Sequence, residues 1–186
     1  MAKAFKATRR GIIGALDPEE RQLLRKLFED IIELLEPTEP ANADPLAAMV
    51  GVDSEAVTPS DSAVRRLLPD AVRDDEDEAL EFRRLTERSL REDKIGTLRA
   101  SALLMESSPL KLTAEQARMM ARALNDVRLV LADRLKIASD EDAARLHDID
   151  DVADADDVET YLALVYNFAS WLQESLIQAM LALKDK

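Results

Sequence analysis

Residues 139–159 carry ten carboxylates against Arg145 alone, so cation chemistry is sought there first. With Asp148 at the first position of a calcium-binding loop, Asp150, Asp154, Asp156 and Glu159 fall at the third, seventh, ninth and twelfth. Val152 then occupies a ligand position, and Ala153 stands where the sharp turn needs glycine. The stretch therefore reads as a solvated acidic loop at 139–157 whose last residues cap the following helix. His147, the single histidine, lies in that loop. A di-metal carboxylate bundle needs Glu-x-x-His on facing helices, and that spacing does not occur. A hydrolytic triad would depend on His147 with no Gly-x-Ser-x-Gly beside it, and the glycines form no phosphate loop or dinucleotide fingerprint. No catalytic residue, cofactor or metal ligand is nominated, and a carboxylate-metal enzyme ranks third among the functional readings.

One charged residue conflicts with its own helix. Projected at about 100° per residue, Ala117, Met120, Ala121, Leu124, Val127, Leu131 and Leu135 form the inner stripe of a helix over 114–136, and Arg128 points into its middle. A guanidinium in a core face must find an acceptor, because an unpaired buried charge is very costly. Glu174 is the only formal charge between Tyr161 and Leu183, and the pair Arg128–Glu174 is the expected solution. Asp126 and the carboxylates of the 77–92 helix are the alternatives.

The helix that would carry Glu174 spans 158–183 and organises the rest of the chain. Taking Phe168 as reference, its expected core face is Tyr161, Leu164, Val165, Trp171, Leu172, Leu176, Ala179 and Leu183. Its other face is apolar as well, with Leu162, Tyr166, Ile177, Met180 and Leu181, and such a helix is normally buried on nearly all sides. Burial within the chain is favoured for that second face over a subunit interface, which leaves a homodimer open. Asn167, Ser170, Gln173, Glu174, Ser175 and Gln178 interrupt every apolar run short of the ~20 residues a bilayer requires, so no membrane span is expected.

Along the chain, residues 5–16 offer a pair of short strands turning near Arg10 and Gly11, the one β element in an otherwise all-α reading. Asp17-Pro18-Glu19-Glu20 has the pattern of a capped helix start, and Leu23 to Leu35 continue with helical periodicity up to Pro37. Residues 37–69 contain five prolines and read as irregular, with brief helical turns at Asp44-Pro45 and over 60–68. A helix begins near Asp77 after an acidic run and reaches Glu92, or Glu106 if it continues through Gly96. Thr113 and Gln116 form a capping box for the next helix. The expectation is a single helical domain over 1–186, with the irregular segment at 37–69.

The net charge of −13 disfavours general nucleic-acid binding, since a duplex repels an acidic surface. The Arg-bearing stretch 60–68 and the helix after it could nonetheless be drawn as a helix-turn-helix. Residues 1–16 carry Lys3, Lys6, Arg9 and Arg10 with no acid. Without cysteine the chain needs no oxidising compartment, and the N-terminal apolar residues are too interrupted for a signal core; a cytoplasmic location follows as an expectation.

The run Ala123-Leu-Asn-Asp-Val-Arg-Leu-Val-Leu-Ala-Asp-Arg-Leu135, followed by Tyr161-Leu-Ala-Leu-Val-Tyr-Asn-Phe-Ala-Ser-Trp-Leu-Gln-Glu-Ser-Leu176, resembles an actinobacterial family of unknown function, domain-of-unknown-function family 2017. The likeness extends more weakly to 17–35 and 77–92. It implies a bacterial cytoplasmic protein, encoded near the adaptor that delivers substrates to the Clp protease, and brings no catalytic residues. Arg128, Asn125, Trp171, Gln173 and Glu174 lie in the family-like segments and are the side chains that helix packing alone would not demand. The leading expectation is a non-enzymatic interaction or regulatory module with a protein partner, ahead of a DNA-binding regulator.

Overall fold

The computed structural model describes residues 2–36, 56–139, 141, 142, 144 and 157–184. The N-terminal hairpin is present: β1 (Lys3–Thr8) pairs antiparallel with β2 (Gly11–Ala15). Thr8 closes the turn, its hydroxyl donating to the Gly11 carbonyl at 2.8 Å. A third strand, β3 (Leu110–Leu112), adds to β2, so the order is β1-β2-β3. The protein is thus mainly helical with a small antiparallel sheet, which corrects the all-α expectation. The missed strand is only three residues long, too short for period-2 alternation to stand out from a loop.

Gly11 is where the sheet requires glycine. Its φ is +125°, and a Cβ there would lie 2.5 Å from the Leu112 carbonyl oxygen of β3. The inner sheet face carries Phe5, Ile12, Leu110 and Leu112, all buried, while Lys6, Ile13 and Lys111 make one cross-strand row on the outer face.

Helix α1 (Pro18–Leu35) starts at the reciprocal cap foreseen from its sequence: Glu20 N–H donates to Asp17 Oδ1 at 3.0 Å and Asp17 N–H to Glu20 Oε2 at 2.8 Å. The other oxygen of Glu20 accepts from the Ala2 amide at 2.7 Å, tying the start of β1 to the same cap. Helix α2 (Ser62–Leu67) is short and docks on α4 (Ala114–Arg134), with Ser62 and Arg66 both on Asp133 and Arg134 on Asp61. Between them, α3 (Glu76–Leu104) runs unbroken through Gly96, where the open surroundings impose no bend. The Thr113–Gln116 capping box opens α4. The last helix, α5 (Val158–Lys184), lies against α4 and β1, and Asp157 starts it by accepting from the Thr160 amide at 2.7 Å.

One apolar core joins these elements: Leu24, Phe28 and Leu35 of α1, Ile95 and Leu98 of α3, Leu124 and Val127 of α4, Leu172 and Leu176 of α5, and the inner sheet face. Val165, Leu172, Leu176 and Ala179 of the expected core face of α5 are buried within it, but the rotation is shifted toward its other side. Ala163, Val165, Tyr166, Ala169, Leu172, Gln173, Leu176 and Ala179 are buried, whereas Tyr161 and Trp171 are exposed. A centre placed on Phe168 was displaced because two apolar stripes compete on this helix, and the small residues Ala163 and Ala169 permit closer packing than the aromatic stripe would.

The calcium-like pattern at 148–159 and His147 lie outside the described residues apart from Asp157 to Glu159. The irregular stretch at 37–55 does so as well, as does most of the acidic loop.

Candidate interaction site

Arg128 does not meet Glu174. Its Nε donates to Ser170 Oγ at 2.9 Å and its Nη1 to Gln173 Oε1 at 2.6 Å, while the guanidinium lies 5.7 Å from the centre of the Tyr166 ring. Gln173 completes the set by donating Nε2–H to the Ala121 carbonyl at 3.0 Å. The expected Arg128–Glu174 pair is therefore corrected. On α5, Gln173 and Ser170 turn toward α4, and Glu174, one residue on, turns to solvent. The guanidinium is half-buried and is held by neutral oxygens and an aromatic face.

Of the five residues singled out from sequence, Arg128 and Gln173 meet at this joint, while Asn125, Trp171 and Glu174 lie outside it, exposed. Ser170 and Tyr166 belong to the joint and were missed, since a serine and a tyrosine in an apolar helix carry no spacing signal of their own. The joint holds no nucleophile aimed at a cavity and reads as a helix-packing device.

The Arg-bearing helices use their charges on the chain itself. Arg83 is buried and donates to the Leu68 carbonyl at 3.1 Å, to Asp70 at 2.6 Å and to Glu87. Arg91 shares Glu87 and also donates to the Leu35 carbonyl at 2.8 Å. Arg84 is held by Glu81, Arg65 by the carbonyls of Pro59 and Ser60, and Arg66 by Asp133 and the Ile137 carbonyl. A groove beside Arg83, walled by Phe82 and Leu90, encloses about 20 Å³, room for a water rather than a substrate. Among the described residues no cluster of three or more His, Asp or Glu is arranged to hold a metal ion.

Along one edge of its buried face α5 carries an aromatic ridge that is exposed at Tyr161 and Trp171 and half-buried at Leu164 and Phe168. Tyr161, Leu164, Phe168 and Trp171 recur at steps of three, four and three, which places them on one stripe. Tyr161 is 51% exposed and Trp171 39%, and the indole stacks on Phe168 with centroids 6.3 Å apart. Two of the three Tyr and Trp side chains in the whole sequence thus stand at the surface, on the element that was expected to be most completely buried.

The comparisons agree with the resemblance at the level of the family. The chain belongs to the family described as Domain of unknown function (DUF2017), whose model matches residues 2–180. No curated protein and no solved structure matches it. No helix among the described residues is long and apolar enough to cross a membrane.

Proposed function

We propose that this chain is a non-enzymatic interaction or regulatory module that engages a protein partner through the outward face of α5. The observation that carries the reading is the exposure of Tyr161 and Trp171 on one stripe of α5, with Leu164 and Phe168 half-buried between them. Aromatic side chains are enriched at protein interfaces because they bury a large area at small rotameric cost, and Trp and Tyr dominate the residues whose truncation weakens binding. The ridge borders the buried face of the helix, with Phe168 packed on the core and the Arg128 joint nearby, so it is held rigidly.

The partner is a different protein rather than a second copy in this reading, and the family context makes the Clp adaptor and its protease the first candidates. A photoreactive residue placed at position 171 in the source cell, followed by identification of the crosslinked species, tests the reading. A single protein partner, lost in Tyr161→Ser/Phe168→Ser, is expected. Crosslinks only to the chain itself would convert the reading to a homodimer, and no crosslink together with monomeric behaviour would remove it. A duplex-reading helix pair has less support, because the arginines of α2 and α3 named above are engaged internally.

A further inference from the structure

The outer face of the sheet is charged in the opposite sense to the chain as a whole. Lys6, Ile13 and Lys111 form one cross-strand row, and Arg9 and Arg10 stand at the hairpin tip beside it. Thr8, Arg9, Arg10, Ile12, Ile13 and Lys111 line an open depression of about 380 Å³ at the tip end of the row, and Lys6 lies outside it. Lys3 is exposed at the start of β1, and residues 2–16 contain no acid. Among the described residues none of these five cations is in an ion pair, in a chain where acids outnumber bases by 38 to 25. Five cations with no ion pair among the described residues, drawn from two distant parts of the sequence and gathered on one face, are not what a solvated acidic surface requires.

We propose that this face is a docking surface for a short acidic segment of a partner protein, with an apolar residue between its carboxylates. The row sets the chemistry. Adjacent strands are ~4.8 Å apart, so Lys6 and Lys111 are separated by ~10 Å with Ile13 midway. An extended peptide crossing the strands would seat an apolar side chain on Ile13 and place flanking carboxylates at the two ammonium groups. Arg9 and Arg10, at the hairpin tip along the strand direction, add positive potential beside this crossing line.

The same row argues against a nucleic-acid backbone. A phosphate over Ile13 would lose water and meet no donor, and a duplex long enough to reach past the patch would face the rest of a chain of net charge −13. A short peptide stays within the patch. The surface is separate from the α5 ridge, and neither proposal depends on the other.

The test is fluorescence anisotropy of the full chain with three labelled probes: an acidic peptide with one central isoleucine, the same peptide with serine in its place, and a short duplex. The isoleucine peptide is expected to bind and to weaken about tenfold in Lys6→Glu/Lys111→Glu, with Ile13→Ser and the serine peptide each giving a smaller loss. Lys6→Gln/Lys111→Gln should fall between wild type and the charge reversal, and thermal melts identify any variant that has lost its fold. Absence of binding by the isoleucine peptide, equal binding to wild type and folded charge-reversal protein, or equal binding of the two peptides would overturn the proposal. So would a duplex that binds more tightly than the isoleucine peptide with a log–log salt slope near five cations' worth of counterion release.

Discussion

Gln173 stands between Arg128 and the backbone of α4, accepting from Arg128 Nη1 at 2.6 Å and donating to the Ala121 carbonyl at 3.0 Å. One buried amide thus fixes the axial position of α5 against two turns of α4. Gln173→Ala should destabilise by ~1–3 kcal/mol, because it leaves a half-buried guanidinium short of an acceptor. Arg128→Ala should cost a similar ~1–3 kcal/mol, and the double mutant less than the sum by at least ~0.5 kcal/mol. Glu174→Gln, at an exposed position, should stay within ~0.5 kcal/mol. Denaturant melts of the set decide, and strict additivity would mean that the bond carries no energy of its own.

Much of this arrangement was legible from sequence. The conflict at Arg128, the two capping boxes, the hairpin turn at Gly11 and the limits of α1, α4 and α5 all follow from local chemistry: a charge in an apolar stripe, a side chain three residues from its cap, a proline past a helix end. The partner of Arg128 was not legible, because Gln173 and Glu174 are neighbours and about 100° of rotation decides which one faces α4. Asn167, Glu174 and Gln178 do share one stripe of α5, but the apolar residues flanking it on both sides leave the rotation open by the ~100° that separates Gln173 from Glu174. The same ambiguity hid the exposure of Tyr161 and Trp171, which were assigned to the core.

Arg83 gives a second measure of how charges hold the helices. It joins the end of α2 to α3 through the Leu68 carbonyl, Asp70 and Glu87, while Arg91 carries Glu87 on to the Leu35 carbonyl of α1. Arg83→Met should destabilise by ~2–4 kcal/mol, since the buried Leu68 carbonyl and the mostly buried Glu87 lose their donor, while Asp70 is exposed and can turn to water. Arg83→Lys should recover only part of this, because one ammonium cannot span acceptors that the guanidinium fork holds together. Full recovery by lysine in a urea melt would show that charge alone, not the fork, is what the site uses.

Two glycines should respond in opposite directions to the same substitution. Gly11→Ala places a methyl 2.5 Å from the Leu112 carbonyl oxygen at φ +125°, and a loss of at least ~2 kcal/mol is expected. Gly96→Ala adds a methyl with nothing within 4 Å in the interior of α3, and a gain of ~0.5–1 kcal/mol is expected. Calorimetric melting temperatures should move down for the first and up for the second. A fall at Gly96→Ala would mean that α3 needs flexibility at its midpoint.

Asp126 and Asp61 should pull stability in opposite directions as pH changes. Asp126 is buried on α4 with Lys94 of α3 at 2.7 Å, and burial raises its carboxyl above the ordinary value more than the lysine lowers it. Between pH ~3.8, where the unfolded chain titrates, and its higher folded value, the native state binds the extra proton, so Asp126 contributes stability at low pH that is lost as pH rises through the folded value. Asp61 behaves in reverse. The hydrogen bond from Arg134 holds its carboxyl below the ordinary value, so its contribution is present above pH ~3.8 and disappears as pH falls through the folded value. Wild type should therefore gain on Asp126→Asn as pH falls from ~7 toward ~4, and should lose its advantage over Asp61→Asn as pH falls below ~4. Urea melts of the three proteins across that range give the two difference curves directly. Parallel curves for wild type and Asp126→Asn would mean that Lys94 fully offsets the burial, and the buried pair would then act as a neutral tie between α3 and α4.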